Sequence, residues 1–260
     1  MVFSVVALSA IAALLGLGLA LAEKKFKVEE DERLPLVMDA LPGANCGACG
    51  FPGCGGLANE IVAGNARPEL CPVGGFETVS AIGEIMGITV EETARMSAFV
   101  ACAGGESRSV FRYEYFGMRD CNAAMQLVAG GSKDCSYGCL GGGSCIEACP
   151  FEAILMEDGI AKIDNEKCKA CGLCIKLCPK KIIHLVPHAA KTRVVCSSQN
   201  DAKTTRAHCT IGCIGCKMCV RTCQHESVAV EGKLALIDYQ KCTLCNDCIT
   251  KCPPKTIQAI

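Results

Sequence analysis

Eight cysteines of this chain recur in register. Cys135, Cys139, Cys145, Cys149, Cys168, Cys171, Cys174 and Cys178 each have a counterpart 74 residues later. The sequence between them repeats too: Gly159-Ile-Ala-Lys-Ile-Asp164 lies opposite Lys233-Leu-Ala-Leu-Ile-Asp238. Chance does not align eight cysteines, so the chain contains a duplicated unit. Cysteine accounts for 24 of 260 residues, which means either a disulfide framework or metal ligation in a reducing compartment. Tryptophan is absent and aromatics are only 5%. Small units with such thin cores need staples, and a metal group held by four thiolates is one.

Spacing decides between the two. Cys168-x2-Cys171-x2-Cys174-x3-Cys178-Pro179 and Cys242-x2-Cys245-x2-Cys248-x3-Cys252-Pro253 have the bacterial two-cluster ferredoxin pattern. In that pattern three cysteines bind one [4Fe–4S] cluster and the fourth reaches the other cluster of the pair. The partner runs are Cys213-x2-Cys216-x2-Cys219-x3-Cys223 and the looser Cys135-x3-Cys139-x5-Cys145-x3-Cys149. Crossed ligation groups Cys135, Cys139 and Cys145 with Cys178, and Cys168, Cys171 and Cys174 with Cys149. It likewise groups Cys213, Cys216 and Cys219 with Cys252, and Cys242, Cys245 and Cys248 with Cys223. Gly142 stands where the second unit has Cys216, so Cys135 is expected to substitute from outside the usual spacing. The short apolar alternations between the runs predict small strands.

A further set lies upstream. Cys46, Cys49 and Cys54 sit in a glycine-rich loop, and Cys71-Pro72 follows an apolar, helix-like stretch over 57–63. Glycines let such a loop curl so that several thiolates and amides face one point. Four thiolates also suit zinc, but beside the ferredoxin runs a [4Fe–4S] cluster is the expectation. Five clusters use 20 thiolates. Cys102, Cys121, Cys196 and Cys209 remain, either as free thiols or as the four ligands of a sixth cluster. His184, His188, His208 and His225 show no ligand spacing.

Residues 2–22 carry no charged side chain, a length close to the roughly 20 residues that span a bilayer as a helix. No basic segment precedes the stretch, as a cleaved signal would require. Lys24, Lys25 and Lys27 follow it, so the positive-inside rule puts the bulk of the chain on the cytoplasmic side of the cell inner or plasma membrane, single-pass. That placement argues against disulfides. Net charge is -1, yet 162–260 holds 16 Lys+Arg against 7 Asp+Glu. A basic half of this kind is either a solvated face that offsets cluster charge or a docking face for an acidic protein. No basic run is interleaved with stacking aromatics, so nucleic acid is not expected as a partner. GxGxxG and P-loop patterns are absent, and no nucleophile–base pair stands out, so no organic cofactor or substrate pocket is implied.

The expected fold class is α+β: an N-terminal transmembrane helix, a small helical [4Fe–4S] domain, and two tandem bacterial-type two-cluster ferredoxin modules. The expected divisions are an anchor over 1–23, a charged linker over 24–34, the N-terminal cluster domain over 35–98, a linker over 99–134, the first module over 135–187, a linker over 188–210 and the second module over 211–260.

The order of these parts resembles the B subunit of the Rnf complexes, ion-translocating ferredoxin:NAD oxidoreductases of bacterial and archaeal membranes. The resemblance is carried by Leu41-Pro-Gly-Ala-Asn-Cys-Gly-Ala-Cys-Gly-Phe-Pro-Gly-Cys54, Cys71-Pro-Val-Gly-Gly75, Phe99-Val-Ala-Cys-Ala-Gly-Gly105, Tyr137-Gly-Cys-Leu-Gly141 and Gly212-Cys-Ile-Gly-Cys216. It implies an electron carrier that takes electrons from soluble reduced ferredoxin and relays them to other subunits of a membrane complex. The basic carboxyl half and the anchor beside the N-terminal domain lead to an expected entry at the distal ferredoxin modules and exit through the Cys46–Cys71 cluster. A cluster subunit of another membrane-bound dehydrogenase or reductase is the alternative; the Cys46–Cys71 module argues against it.

Overall fold

A computed structural model describes residues 2–25, 31–92 and 94–260, with the side chains of 2–8, 10, 23 and 24 outside the description. Helix α1 (Val2–Lys25) comes first, 24 residues and so about 36 Å long. Its leucines from Leu14 to Leu21 are exposed. Among the described residues no helix is long and apolar enough to cross a membrane; the described side chains of α1 run unbroken only over 11–22. Within the charged linker expected over 24–34, residues 26–30, with Lys27 and Glu29, lie outside the described residues.

Three helices form the N-terminal domain: α2 (Arg33–Ala40), α3 (Gly53–Val62) and α4 (Gly75–Met86). Val37, Leu57, Ala58, Ile61 and Ile82 meet at its centre, all almost fully buried. Gly87 ends α4 at φ 67°, so that the Ile88 N–H can turn back to the Gly83 carbonyl at 2.9 Å.

Strand β1 (Met96–Val100) opens the first ferredoxin module. Then come α5 (Cys121–Met125), α6 (Ser144–Glu147), β2 (Ile154–Glu157), β3 (Ile160–Ile163), α7 (Leu173–Leu177) and β4 (Ile183–Pro187). The second module has β5 (Thr192–Val194), α8 (Ala202–His208), α9 (Met218–Thr222), β6 (Val228–Glu231), β7 (Leu234–Ile237), α10 (Asp247–Lys251) and β8 (Ile257–Ala259). In each module the first strand pairs antiparallel with the last, Val100 opposite Ile183 and Val194 opposite Ile257. The two hairpins β2–β3 and β6–β7 are also antiparallel. Asp158 and Gly159 both take positive φ, as a two-residue type I′ turn demands.

Helices of four or five residues do not stand alone in water. Four of those in the modules are each held by one buried inward cysteine: Cys145 in α6, Cys174 in α7, Cys219 in α9 and Cys248 in α10. Metal ligation at these cysteines would tie the helices into the fold.

Two expected boundaries move. The limit at 98 cuts β1, which pairs with β4, so 96–100 belongs to the first module. The linker expected over 188–210 contributes β5, which pairs with β8. Both strands escape the 74-residue register because they precede the repeated cysteines by different distances. Arg193 on β5 joins the modules: it is 1% exposed, donates to Ser97 Oγ of β1 at 3.3 Å and Asn165 Oδ1 at 3.1 Å, and stacks 5.2 Å from the Phe99 ring.

Candidate metal centres

No cysteine of the chain is in a disulfide. Two groups come together whole as the spacing predicts, and a third in part. Cys149, Cys168, Cys171 and Cys174 line one cavity of about 340 Å³. Cys213, Cys216, Cys219 and Cys252 line another of about 320 Å³. Cys242 and Cys245 lie beside the buried Cys248, and Cys223 packs against the same core. In the N-terminal domain Cys49 and Cys54 lie beside buried Cys71, whose thiol is pushed up by burial. Cys46 opens that loop and stands close enough to Cys171 to act on its charge.

Two cysteines trade places relative to expectation. Cys121, not Cys135, joins Cys139, Cys145 and Cys178 around a cavity of about 360 Å³. Cys135 joins Cys102, Cys196 and Cys209 around a cavity of about 420 Å³ between the modules. The reason lies at Gly142. A Cβ there would stand 2.8 Å from the Asp120 carbonyl carbon and the Cys121 nitrogen, so the backbone of 120–121 occupies the space that a cysteine side chain would need. Asp120 caps α5 by accepting from the Ala123 N–H at 2.7 Å. Ser144 Oγ accepts from the Cys121 N–H at 2.8 Å and donates to Asp120 Oδ2 at 2.9 Å, which pins Cys121 against α6. Gly142→Ala is therefore expected to force a backbone shift costing about 1–3 kcal/mol, and both it and Cys121→Ser are expected to lose iron, measured by thermal unfolding and iron per chain.

The site between the modules is pseudosymmetric. The Ala101 N–H donates to the Ile182 carbonyl at 2.8 Å, and the Val195 N–H to the Thr256 carbonyl at 2.9 Å, bonds related by the repeat. Cys102 and Cys196 follow those residues and are structural equivalents, although 94 positions separate them. Each accepts an N–H from a cysteine of the neighbouring run: Cys139 to Cys102 at 3.4 Å, Cys213 to Cys196 at 3.3 Å. Each module thus contributes two thiols, Cys102 with Cys135 and Cys196 with Cys209. The sequence signal was present in Phe99-Val-Ala-Cys102 beside Arg193-Val-Val-Cys196.

The thiols fit an iron–sulfur cluster. Among the described residues no group of three or more His, Cys, Asp or Glu side chains is arranged to hold one metal ion, whereas zinc draws its thiolates to about 2.3 Å. These cysteines instead stand in fours around shared cavities. Burial first, then the neighbouring thiols Cys139, Cys121, Cys174 and Cys178, pushes Cys145 up to about 12. Burial and its neighbours push Cys174 to about 12 as well. Such thiols ionise together only when cationic metal compensates them. At the site between the modules the Nδ1 of His208 is buried without a hydrogen-bond partner, which a cluster sulfur would provide. Backbone N–H bonds to Cys168 Sγ from Ala98 at 3.3 Å and Ala170 at 3.5 Å are of the kind that tunes cluster potential.

Comparison with known proteins agrees. Residues 41–73 match a family described as a putative Fe-S cluster domain, and residues 132–179 a 4Fe-4S dicluster domain. The chain is 47% identical over 243 residues to the B subunit of a Na(+)-translocating ferredoxin:NAD(+) oxidoreductase complex of Acetobacterium woodii, covering 93% of this chain and 73% of that protein. It is 40% identical over 262 residues to the B subunit of an ion-translocating oxidoreductase complex of Methanosarcina acetivorans, covering 98% and 99%. The B subunit of a proton-translocating ferredoxin:NAD(+) oxidoreductase complex of Clostridium ljungdahlii is 36% identical over 259 residues, covering 98% and 91%. With cluster-type thiol sites along its length and relatives matching nearly end to end, the chain belongs to the family of B subunits of ion-translocating oxidoreductase complexes.

Proposed function

We propose that this chain takes electrons from a soluble reduced ferredoxin and relays them through six [4Fe–4S] sites to other subunits of a membrane complex. The observation that carries the reading is the serial order of the thiol groups. Cys46 lies near Cys171; Cys174 and Cys145 share one core; the Cys139 N–H donates to Cys102 Sγ; the Cys213 N–H donates to Cys196 Sγ; and Cys219 and Cys248 share one core. Each link joins one group to the next, so the residues proposed to hold the six sites run Cys46/49/54/71, Cys149/168/171/174, Cys121/139/145/178, Cys102/135/196/209, Cys213/216/219/252 and Cys223/242/245/248. Bound there, each cluster supplies a one-electron redox step. The group between the modules is the link without which the second module would be separated from the rest.

Ferredoxin is the proposed donor because the relatives' names specify it and because 162–260 is basic. Entry belongs at the second module, where Cys245 is the exposed cysteine among the 24. Exit belongs at the N-terminal domain, which follows α1. The uncharged 2–22 stretch within a 24-residue helix supports α1 as the single-pass anchor, and Lys24, Lys25 and Lys27 support a cytoplasmic bulk.

Iron and acid-labile sulfide per anaerobically purified chain, followed by addition of reduced ferredoxin, test the reading. About 24 iron atoms and bleaching of the visible absorption are expected. A colourless zinc protein, or clusters that reduced ferredoxin leaves oxidised, would refute it.

A further inference from the structure

Lys133 is 5% exposed. Its Nζ donates to the Gly104 carbonyl at 2.8 Å and lies 5.6 Å from the Phe111 ring centre. Among the described residues no carboxylate stands within ion-pair distance of it. The adjacent Asp134 is taken by Arg112 at 2.8 Å, and Asp158, bound by the Ser107 hydroxyl at 2.6 Å, acts on Lys133 only from beyond ion-pair distance. A buried cation without a direct ion pair is costly and survives only where its surroundings compensate it.

Lys133 stands directly behind the Gly104 and Gly138 wall of the site between the modules. A Cβ on Gly138 would touch Lys133 Cδ at 3.6 Å and Cys102 Sγ at 3.9 Å. The Gly104 carbonyl that accepts from the Lys133 ammonium belongs to the lining of that site, where a Cβ on Gly104 would stand 3.8 Å from Cys102 Sγ and 3.0 Å from Cys209 Sγ. The corresponding position in the second module, 74 residues on, is Ala207, so the pseudosymmetric site has no counterpart of Lys133 there.

We propose that Lys133 is a positioning residue whose buried charge is balanced by the anionic cluster held by Cys102, Cys135, Cys196 and Cys209, raising that site's reduction potential. The inference rests on the six-site reading above. One-electron reduction adds negative charge to an already anionic thiolate site, and a fixed cation beside it stabilises the reduced form. Lys133 thereby makes the link between the modules easier to reduce, so that electrons from the second module collect there before moving on.

Full-length Cys209→Ser, Lys133→Met and Lys133→Arg chains, compared by iron content and EPR-monitored redox titration, test this. Cys209→Ser identifies the EPR signal of the site by its loss; if it loses no iron, the six-site reading itself has failed. Lys133→Met is expected to keep the iron and raise the oxidised-to-reduced ratio about tenfold at the wild-type midpoint, a shift of about 59 mV to more negative potential for one electron. Lys133→Arg should restore the potential. An unchanged midpoint in Lys133→Met, or an equal shift in Lys133→Arg, overturns the proposal. If Lys133→Met instead loses the cluster, retention in Lys133→Arg supports the charge role, and loss in both shows that only packing matters.

Discussion

Serine at both Cys135 and Cys209 is expected to remove no more iron than serine at either alone, about four of about 24 atoms per chain. Serine at Cys121 and Cys209 together should remove about eight. The contrast follows from the cavities: Cys135 and Cys209 line the same one, whereas Cys121 lines the cavity of Cys139, Cys145 and Cys178. The ferredoxin spacing alone leads to the opposite result, with Cys135 and Cys209 additive and Cys121 and Cys209 not. Iron quantitation on four variants separates the two. Loss of the site between the modules should also leave the second module reducible by ferredoxin while the N-terminal cluster stays oxidised, a readout that iron content alone does not give.

Why the spacing misled is a matter of register. The 74-residue repeat aligns every cysteine from Cys139 to Cys178 with its counterpart, and the expected crossed groups hold wherever both members lie inside that run. Upstream of it the copies differ in length: Cys135 lies 33 residues after Cys102, but Cys209 only 13 after Cys196. The extra residues of the first copy carry Cys121 back into the position that Gly142 leaves open. A one-dimensional repeat cannot show that an inserted loop folds back to replace a missing side chain. The hairpins were readable because apolar alternation and the Asp158-Gly159 turn are local signals. The β1–β4 and β5–β8 pairings were not, because each joins chain segments more than 60 residues apart. Lys133 was equally silent, since a lysine in sequence looks solvated until its burial is known.

The short helices show the same limit at finer scale. Gly143 and Gly172 precede α6 and α7 at φ 81° and 75°, and glycine marks such left-handed positions openly. In the second module Lys217 and Asn246 take the equivalent places at φ 59° and 66°. A left-handed lysine is strained by about 1–2 kcal/mol and persists only where its surroundings determine it. The same strained turn leaves the Lys217 side chain exposed beside Cys216.

That exposed charge bears on the largest rate effect to be expected. Charge reversal at Lys217 and Arg221 of the second module should slow reduction by ferredoxin about 10-fold or more at low ionic strength, within the range over which steering acts. Arg221 is exposed and donates to the Cys216 carbonyl at 3.3 Å, so its guanidinium sits at the rim of the Cys213–Cys252 site. Lys180 looks similar in sequence but belongs to the fold: its ammonium donates to the Ser136 carbonyl at 2.7 Å, and replacing it would disturb the neighbourhood of Cys135. It is therefore left intact. Salt separates docking from damage. At 1 M the screening length shrinks to about 3 Å, so variant and wild type should converge if the charges act through encounter. A deficit that persists at high salt would mean that the substitutions had altered the site itself, and an unchanged rate at low salt would sink the docking face.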